Sequence, residues 1–183
     1  IPIDDISKHF KVANISKNDT QPVYAVTYGD YVYDLAMFRT DSSDIGRSNN
    51  KSVIANTFEK DSARRDATIN SFGIDADGQV HDFQGGIDDL KNKIIRAVGD
   101  PKQRFKEDAT RILRTFRFAA KTGFEIDEET RNAAIELKEL LSDSNAISKE
   151  SIAKEFYKSA KSGKTLAQFV ETLMDAGILH DVL

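Results

Sequence analysis

The chain has 183 residues, of which 39% are hydrophobic and 31% charged, with a net charge of −4 and no cysteine. This composition is typical of a folded domain; it excludes disulfides and thiolate metal sites, and it argues against general binding of polyanions by the whole chain. No apolar run approaches the ~18 residues that a membrane span needs, and the N-terminus does not resemble a signal peptide, so we expect a cytoplasmic protein without membrane contact.

The N-terminal part of the chain, residues 1–100, predicts strands and turns. Two β-rich runs at residues 23–27 and 31–38 flank Gly29-Asp30, a pair that favours a tight hairpin turn. A helix is predicted to start near Glu59 and to continue to residue 71. This order of elements indicates a β-rich region with one helix packed on it.

A second hairpin is predicted around the turn at residues 75–78. The sequence Asp75-Ala-Asp-Gly78 begins like a calcium-binding loop. The later positions of such a loop require an oxygen ligand, a glycine and a glutamate, and this chain has Gln79, Val80 and Gly86 there. We therefore interpret the segment as a turn.

The C-terminal part, residues 101–183, predicts helices only. Their expected spans are residues 105–122, 128–141, 149–161 and 165–176. The candidate N-caps are Asp127, Ser148 and Thr165, and the candidate glycine stops are Gly123 and Gly177. We divide the chain at Asp100-Pro101 and predict an α+β protein, a β-sheet head (1–100) followed by an all-helical neck (101–183).

The helix predicted over residues 105–122 has two distinct faces. At 100° per residue its apolar side chains share one face, namely Ala109, Ile112, Leu113, Phe116, Ala119 and Ala120. Arg111, Arg114 and Arg117 recur at three-residue spacing on the other side, although neighbouring like charges destabilise a helix. The projection places Asp108 beside Arg111, and a carboxylate beside a guanidinium can imitate the pairing edge of a base. The alternative is an ordinary Asp–Arg ion pair with solvated arginines.

The charge distribution agrees with a binding role for this helix. Residues 91–121 contain ten lysines and arginines against three acidic residues, a local balance of +7 in a chain that is negative as a whole. Such a stretch is either a solvated helix face or a surface for anions. Motifs elsewhere in the chain favour the second interpretation.

One heptapeptide resembles the RRDxTxN motif of class II CCA-adding enzymes and bacterial poly(A) polymerases. It reads Arg64-Arg65-Asp66-Ala-Thr-Ile-Asn70. In that family the motif contacts the sugar and the phosphates of the incoming nucleotide. The resemblance therefore implies that Arg64, Arg65, Asp66 and Asn70 bind a nucleoside triphosphate, ATP or CTP.

A second segment, Glu107-Asp108-Ala-Thr-Arg111, resembles the EDxxR element of the same family. The aspartate and arginine of that element serve as an amino-acid template for CTP and ATP. The resemblance implies this role for Asp108 and Arg111, with Arg114 and Arg117 continuing the site.

Further segments resemble the family in the same order along the chain. Asp82-Phe-Gln-Gly85-Gly86 is similar to its flexible glycine motif between head and neck. Asp34 falls at the third catalytic carboxylate, on the sheet. Residues 148–155 are similar to the motif that braces the templating helix.

One family element has no counterpart in this chain. The resemblance implies Mg²⁺ as cofactor, held by an Asp-x-Asp pair that follows a glycine-glycine turn. Asp4 and Asp5 are adjacent, so on a strand they would point to opposite faces, and they precede a segment similar to the helix after the metal strand. We expect that they are not the metal ligands and that residues 1–183 alone are inactive.

The resemblance implies a template-independent RNA 3′-end nucleotidyltransferase, of the CCA-adding, A-adding or poly(A) polymerase type. Its expected partners are nucleoside triphosphates and the 3′ end of tRNA or another RNA, with a separate chain as one source of the metal-binding segment. The alternative is a non-catalytic module, derived from that family, that binds nucleotide or RNA.

Overall fold

The computed structural model describes residues 2–16, 22–40 and 53–182 of the chain. Short strands and helices form its first part, and helices dominate the second, which confirms the predicted α+β class. The first part comprises, in order, α1 Ile3–Ser7, β1 Lys11–Asn14, β2 Val23–Tyr28, β3 Tyr31–Ala36, β4 Arg39–Thr40, β5 Val53–Ile54, α2 Phe58–Ala63, a 3₁₀ turn Thr68–Asn70, β6 Gly73–Ile74, β7 Val80–His81, α3 Gly86–Asn92 and β8 Ile94–Ile95.

The second part contains five helices among the residues described. In order, they and the short elements between them are α4 Pro101–Glu107, α5 Thr110–Thr122, β9 Glu125–Ile126, α6 Glu128–Glu136, a 3₁₀ turn Lys138–Leu141, α7 Lys149–Ala160, α8 Gly163–Asp175 and a 3₁₀ turn Leu179–Asp181. Within the described segments, none of the helices combines the length and the apolarity that crossing a bilayer needs.

Both predicted hairpins are present. β2 pairs antiparallel with β3 through a turn in which Gly29 has a φ of 58°, and β6 pairs antiparallel with β7. β1 adds to β2 to give a three-stranded sheet in the order β1-β2-β3. The two-residue pairs β4–β5 and β8–β9 were not predicted, because two residues are too few to show a period of two.

The core of the second part is centred on α5, which packs against α7 and α8. The six apolar side chains predicted to share one face of this helix are all buried. Phe105 from α4 and Phe169 and Leu173 from α8 complete the same hydrophobic cluster. The predicted core face is therefore confirmed.

The helix predicted up to residue 71 is wrong in length. α2 ends at Ala63, and the chain then extends until the 3₁₀ turn at Thr68–Asn70. The Thr68 N–H donates to the carbonyl of Arg96 at 3.0 Å, and Ala67 forms a β-bridge with Ala97. A partner distant in sequence thus replaces the helical hydrogen bonds.

The single helix predicted over residues 105–122 is two helices. Asp108 separates them in an extended conformation, with φ −152° and ψ 101°. Its Oδ1 accepts the backbone N–H of Thr110 at 2.9 Å, so the side chain caps the start of α5. The projection that placed Asp108 and Arg111 on one continuous helix is therefore wrong.

The remaining helix boundaries differ from the predictions at three points. α4 begins at Pro101, because the Asp100 carboxylate accepts the N–H groups of Lys102 and Gln103. α6 ends at Glu136 and continues only as the 3₁₀ turn. α8 is capped by Ser162 and not by Thr165, whereas the predicted N-caps Asp127 and Ser148 are confirmed.

Several contacts cross the division at residues 100 and 101. β8 pairs in parallel with β9, and Arg96 forms ion pairs with both Asp89 and Asp127. The Asp89 carboxylate also accepts the Thr68 hydroxyl at 2.7 Å. This polar network fixes the N-terminal 3₁₀ turn relative to the helices, although the two-domain division itself stays a prediction.

Candidate functional site

A cavity of about 450 Å³ lies between the segment after α2 and the start of α5. The residues that line it are Arg64, Arg65, Asp66, Asn70, Asp108, Thr110, Arg111 and Arg114. All but Thr110 are among the residues singled out in the sequence, and the fold brings them together from both sides of residue 100. Four arginines and two aspartates give the lining a formal charge of +2, which suits an anionic ligand.

Asp61 orients the two arginines that follow α2. Its Oδ1 accepts Arg64 Nη2 at 2.7 Å, and its Oδ2 accepts Arg65 Nη2 at 2.9 Å. The carboxylate also accepts the backbone N–H of Arg39 at 3.0 Å, and Asp61 is only 3% exposed. Because Asp61 lies on α2 three and four residues before these arginines, its i+3 and i+4 spacing was a signal that the sequence reasoning missed.

The protonation state of Asp61 follows from this environment. Burial by itself would raise the pKa of the carboxyl, but the hydrogen bonds from Arg64, Arg39 and Arg65 outweigh it and lower the pKa below its ordinary value. Asp61 is therefore ionised at neutral pH and holds both guanidinium groups at the cavity wall.

Glu107 holds the arginines on the opposite wall. Its Oε2 accepts Arg104 Nη1 at 2.5 Å and Arg111 Nη1 at 2.8 Å. The carbonyl of Arg64 accepts Arg104 Nη2 at 2.5 Å and Arg111 Nη2 at 3.4 Å. Both walls are thus joined by hydrogen bonds, and the Arg111 guanidinium has a defined position at the edge of the cavity.

Asp108 and Arg111 both line the cavity. The Arg111 N–H donates to the Asp108 carbonyl at 3.0 Å, but within the described residues no hydrogen bond or ion pair joins the two side chains. Asp108 uses Oδ1 to cap α5 through Thr110, as described above. A carboxylate has about four lone-pair sites, so its acceptor capacity is not exhausted by this bond. The structure therefore does not show the alternative expected from the sequence, an ordinary ion pair between the Asp108 and Arg111 side chains.

Arg114 closes the cavity next to Asp66. Its Nε donates to Asp66 Oδ2 at 2.7 Å, and its Nη2 forms an ion pair with the same oxygen. The guanidinium also lies over the ring of Phe118 at 5.5 Å from the centroid. The same ring lies 4.5 Å from the Arg117 guanidinium, so Phe118 is in contact with two arginines of α5.

Arg117, in contrast, does not line this cavity. Its Nε donates to Glu155 Oε2 at 2.5 Å, and both residues are buried. Lys158 Nζ donates to the other Glu155 oxygen at 2.5 Å. The structure thus assigns Arg117 a bracing contact between α5 and α7, outside the cavity that Arg114 lines.

Asp82, Gly85 and Gly86 do not line the cavity. The Asp82 carboxylate accepts the N–H groups of Gly86 at 2.9 Å and Ile87 at 2.8 Å at the start of α3. Burial alone would raise its pKa, but these hydrogen bonds lower it. Gly86 packs against the carbonyl of Thr68. The segment therefore supports the 3₁₀ turn that carries Asn70.

The aspartates considered for metal chemistry lie apart. Asp34 is exposed on β3, opposite Ala25, and does not line the cavity. Asp4 and Asp5 are exposed and consecutive in α1. Within residues 2–16, 22–40 and 53–182, no three His, Asp or Glu side chains are grouped to hold a metal ion. These donors do not fit a two-metal site by themselves.

Comparisons with known proteins agree with the motifs. Residues 4–96 match the family model of the poly A polymerase head domain. The CCA-adding enzyme of Lactobacillus helveticus is 40% identical over 159 residues, which are 86% of this chain and 39% of that protein. The CCA-adding enzyme of Bacillus subtilis is 38% identical over 159 residues, which are again 86% of this chain and 39% of that protein. The chain thus spans about two fifths of these relatives.

A solved structure extends the similarity to the helical part. The crystal structure of the Bacillus stearothermophilus CCA-adding enzyme in complex with CTP superposes with a TM-score of 0.75 at 26% identity. The match covers 96% of this chain and 41% of that one. Both the N-terminal part and the helices that follow therefore share its fold.

Proposed function

Because this chain belongs to the family of poly(A) polymerases and CCA-adding enzymes, we propose that its cavity binds ATP or CTP for template-independent addition to the 3′ end of a tRNA or another RNA. In that reaction the RNA 3′-oxygen bonds to the α-phosphorus of the nucleotide, pyrophosphate leaves and the hydroxyl proton is released. The observation that carries the proposal is the convergence of the two family motifs on one cationic cavity.

The arginines of the cavity are suited to the triphosphate. Arg64 and Arg65 are held by a buried carboxylate, so their orientation is set before a ligand enters. Arg114 faces them from α5 beside Asp66. Guanidinium groups bind phosphate oxygens with two parallel hydrogen bonds, and they neutralise charge that accumulates on a leaving pyrophosphate.

Asp108 and Arg111 are suited to the base. Adenine and cytosine both present an exocyclic amino group, whereas guanine and uracil present a carbonyl oxygen at the corresponding position. A carboxylate accepts from the amino group and repels the carbonyl. The neighbouring guanidinium donates to a ring acceptor. This pair would select ATP and CTP as a class, as the EDxxR resemblance implies.

Magnesium is the metal that the family resemblance implies for the chemical step. The described aspartates do not form a metal site, and the residues of this chain act in binding, orientation and charge neutralisation. The proposal that a separate segment supplies the ligands rests on the family alone.

Asp108→Asn is the sharpest test of base selection. The asparagine oxygen can still accept the Thr110 N–H, so the cap of α5 and the fold are retained. The amide also presents a donor to the base. We expect discrimination of CTP and ATP against UTP and GTP to fall tenfold or more, because one recognised hydrogen bond contributes ~1–3 kcal/mol. Dissociation constants of the intact protein for all four nucleotides measure this.

The matched control is Asp143→Asn, which changes an exposed aspartate that caps a turn far along the chain through its bond to the Asn145 N–H. It should leave selectivity unchanged. Unaltered selectivity in Asp108→Asn would contradict the templating role while leaving the family assignment intact.

Arg114→Ala should act differently from a change at Asp108. Removing a guanidinium that contacts the phosphates should weaken the binding of all four nucleotides about equally, by tenfold or more. A charge-assisted hydrogen bond contributes ~1.5–3 kcal/mol to binding. Arg131→Ala removes an exposed arginine on α6 and serves as the control. A loss confined to ATP and CTP would contradict the assignment of Arg114 to phosphate.

Incorporation of labelled CTP or ATP into tRNA by the intact protein separates the enzyme from the binding module. In an assay that also supplies the expected metal-binding segment, nucleotide binding with the selectivity described above but without incorporation in the presence of Mg²⁺ would favour the non-catalytic alternative. Incorporation that depends on Arg114 would establish the transferase.

A further inference from the structure

A second cavity, of about 300 Å³, lies where α5, α7 and α8 meet. Four of the residues that line it carry positive charge, and we refer to this group as the basic junction: Arg117, Lys121, Lys158 and Lys161. Ser159, Ser162 and Thr165 also line it. No acidic side chain is among the described residues of its lining.

The charges of the basic junction are only partly neutralised. Glu155, which is 1% exposed and does not line the cavity, pairs with Arg117 and Lys158. Four cations and one carboxylate leave a formal charge of +3. Lys121 and Lys161 are exposed, and neither has an ion-pair partner in the described part of the chain. Concentrated positive potential of this kind attracts a polyanion.

The start of α8 adds to this potential. The helix is 13 residues long, is capped by Ser162 and begins at the cavity, so its positive dipole end faces the same space as the lysines. The side chains and the helix terminus therefore favour the same kind of ligand, an oxyanion such as a phosphate.

An aromatic side chain connects the basic junction with the nucleotide cavity. The Phe118 ring lies 5.5 Å from the Arg114 guanidinium, which lines the nucleotide cavity, and 4.5 Å from that of Arg117, which lines the basic junction. Along α5, Arg114 and Lys121 are about 10 Å apart at 1.5 Å per residue. That separation is short enough for a single nucleic-acid strand to contact both residues.

From this arrangement we propose that the basic junction binds backbone phosphates of the RNA strand whose 3′ end enters the nucleotide cavity, and that Phe118 stacks on one of its bases. Arginine and lysine contacts to phosphate position a strand without reading its sequence, and an aromatic ring accepts any base. The proposal rests on the proposed function for the identity of the polyanion as RNA. Free phosphate is the other source of the same chemistry.

The test uses the intact protein with the double substitution Lys121→Ala/Lys161→Ala. The control is Lys11→Ala/Lys91→Ala, which removes two exposed lysines from the N-terminal part. A fluorescein-labelled RNA hairpin with a single-stranded 3′ end is titrated by anisotropy between 50 and 200 mM KCl. The junction variant should bind about tenfold more weakly, with a log–log salt slope shallower by about 1.5, because each lost phosphate contact removes ~0.7–0.9.

Three further measurements identify the ligand of the basic junction and the role of Phe118. CTP affinity should stay within twofold in the junction variant; a loss equal to that for RNA would make the junction part of the nucleotide site and overturn the proposal. Calorimetric titration with inorganic phosphate should show no heat that depends on these lysines; such heat would assign the cavity to free phosphate. Phe118→Leu should weaken RNA binding on the order of tenfold at an unchanged salt slope.

The outcomes also separate this inference from the proposed function. If the unsubstituted protein adds nucleotides to RNA while both double variants bind RNA alike, the basic junction has no role and the proposed function stands. If the unsubstituted protein neither binds nor extends RNA, both fail.

Discussion

Gly86→Ala is expected to destabilise the protein by about 4 kcal/mol, among the largest effects a single substitution produces. A Cβ at this position would lie 1.9 Å from the carbonyl oxygen of Thr68 and 2.6 Å from its carbon, and both are backbone atoms. The same oxygen accepts the N–H and the hydroxyl of Ser71. Relief of the clash would therefore displace the 3₁₀ turn Thr68–Asn70. Asn70 belongs to this turn and lines the cavity, so the cavity wall would move with it.

Urea unfolding and thermal unfolding of the intact protein measure the effect, which corresponds to roughly 8–16 °C in Tm for a domain of this size. Gly85→Ala is the matched control. Gly85 has a φ of 71°, and a Cβ added there would meet no heavy atom within 4 Å. The expected cost is therefore only the ~1 kcal/mol that an alanine loses in the left-handed backbone conformation. Equal effects at the two positions would contradict the close approach of α3 to Thr68.

Glu155→Ala is expected to cost about 3 kcal/mol, because it leaves the Arg117 guanidinium buried without its carboxylate. The contact between α5 and α7 would loosen with it. Lys158→Ala is the matched control: it removes the more exposed partner of the same carboxylate and should cost ~1 kcal/mol or less. If Lys158→Ala destabilised the protein as much as Glu155→Ala, the loss in Glu155→Ala could not be attributed to the buried Arg117 guanidinium.

The Glu155 contribution should also depend on pH. Burial would raise the pKa of this carboxyl, but the bonds from Lys158 and Arg117 outweigh it and lower the pKa below its ordinary value. A lowered pKa stabilises the fold at pH values above the unfolded-state pKa of about 4.3, and this stabilisation is lost as pH falls through the folded-state pKa. The difference in unfolding free energy between the unsubstituted protein and Glu155→Gln should therefore shrink towards zero below pH 4. A difference that is constant from pH 7 to 3 would contradict an ionised Glu155.

The sequence by itself determined the features that depend on neighbours along the chain. The apolar stripe of α5 follows from a period of 3.6 residues, the hairpin turn from Gly29, and the caps at Asp127 and Ser148 from side chains that bond to N–H groups three residues away. Two motifs predicted six of the eight residues that line the cavity, and Arg114, expected to continue the second motif, is the seventh. All of these signals are local.

Tertiary structure alone decided where the helices stop and which charges pair. The break at Asp108 puts its carboxylate at the cavity. Beyond the end of α2 at Ala63, Ala67 and Thr68 bond to Ala97 and Arg96, about 30 positions away in the chain. Arg117 looked equivalent to Arg114 at i+3 spacing, yet rotation by 300° along α5 turns it towards Glu155 on another helix. Periodicity gives the face of a helix on which a side chain lies, but only the packing of distant elements determines what that face meets.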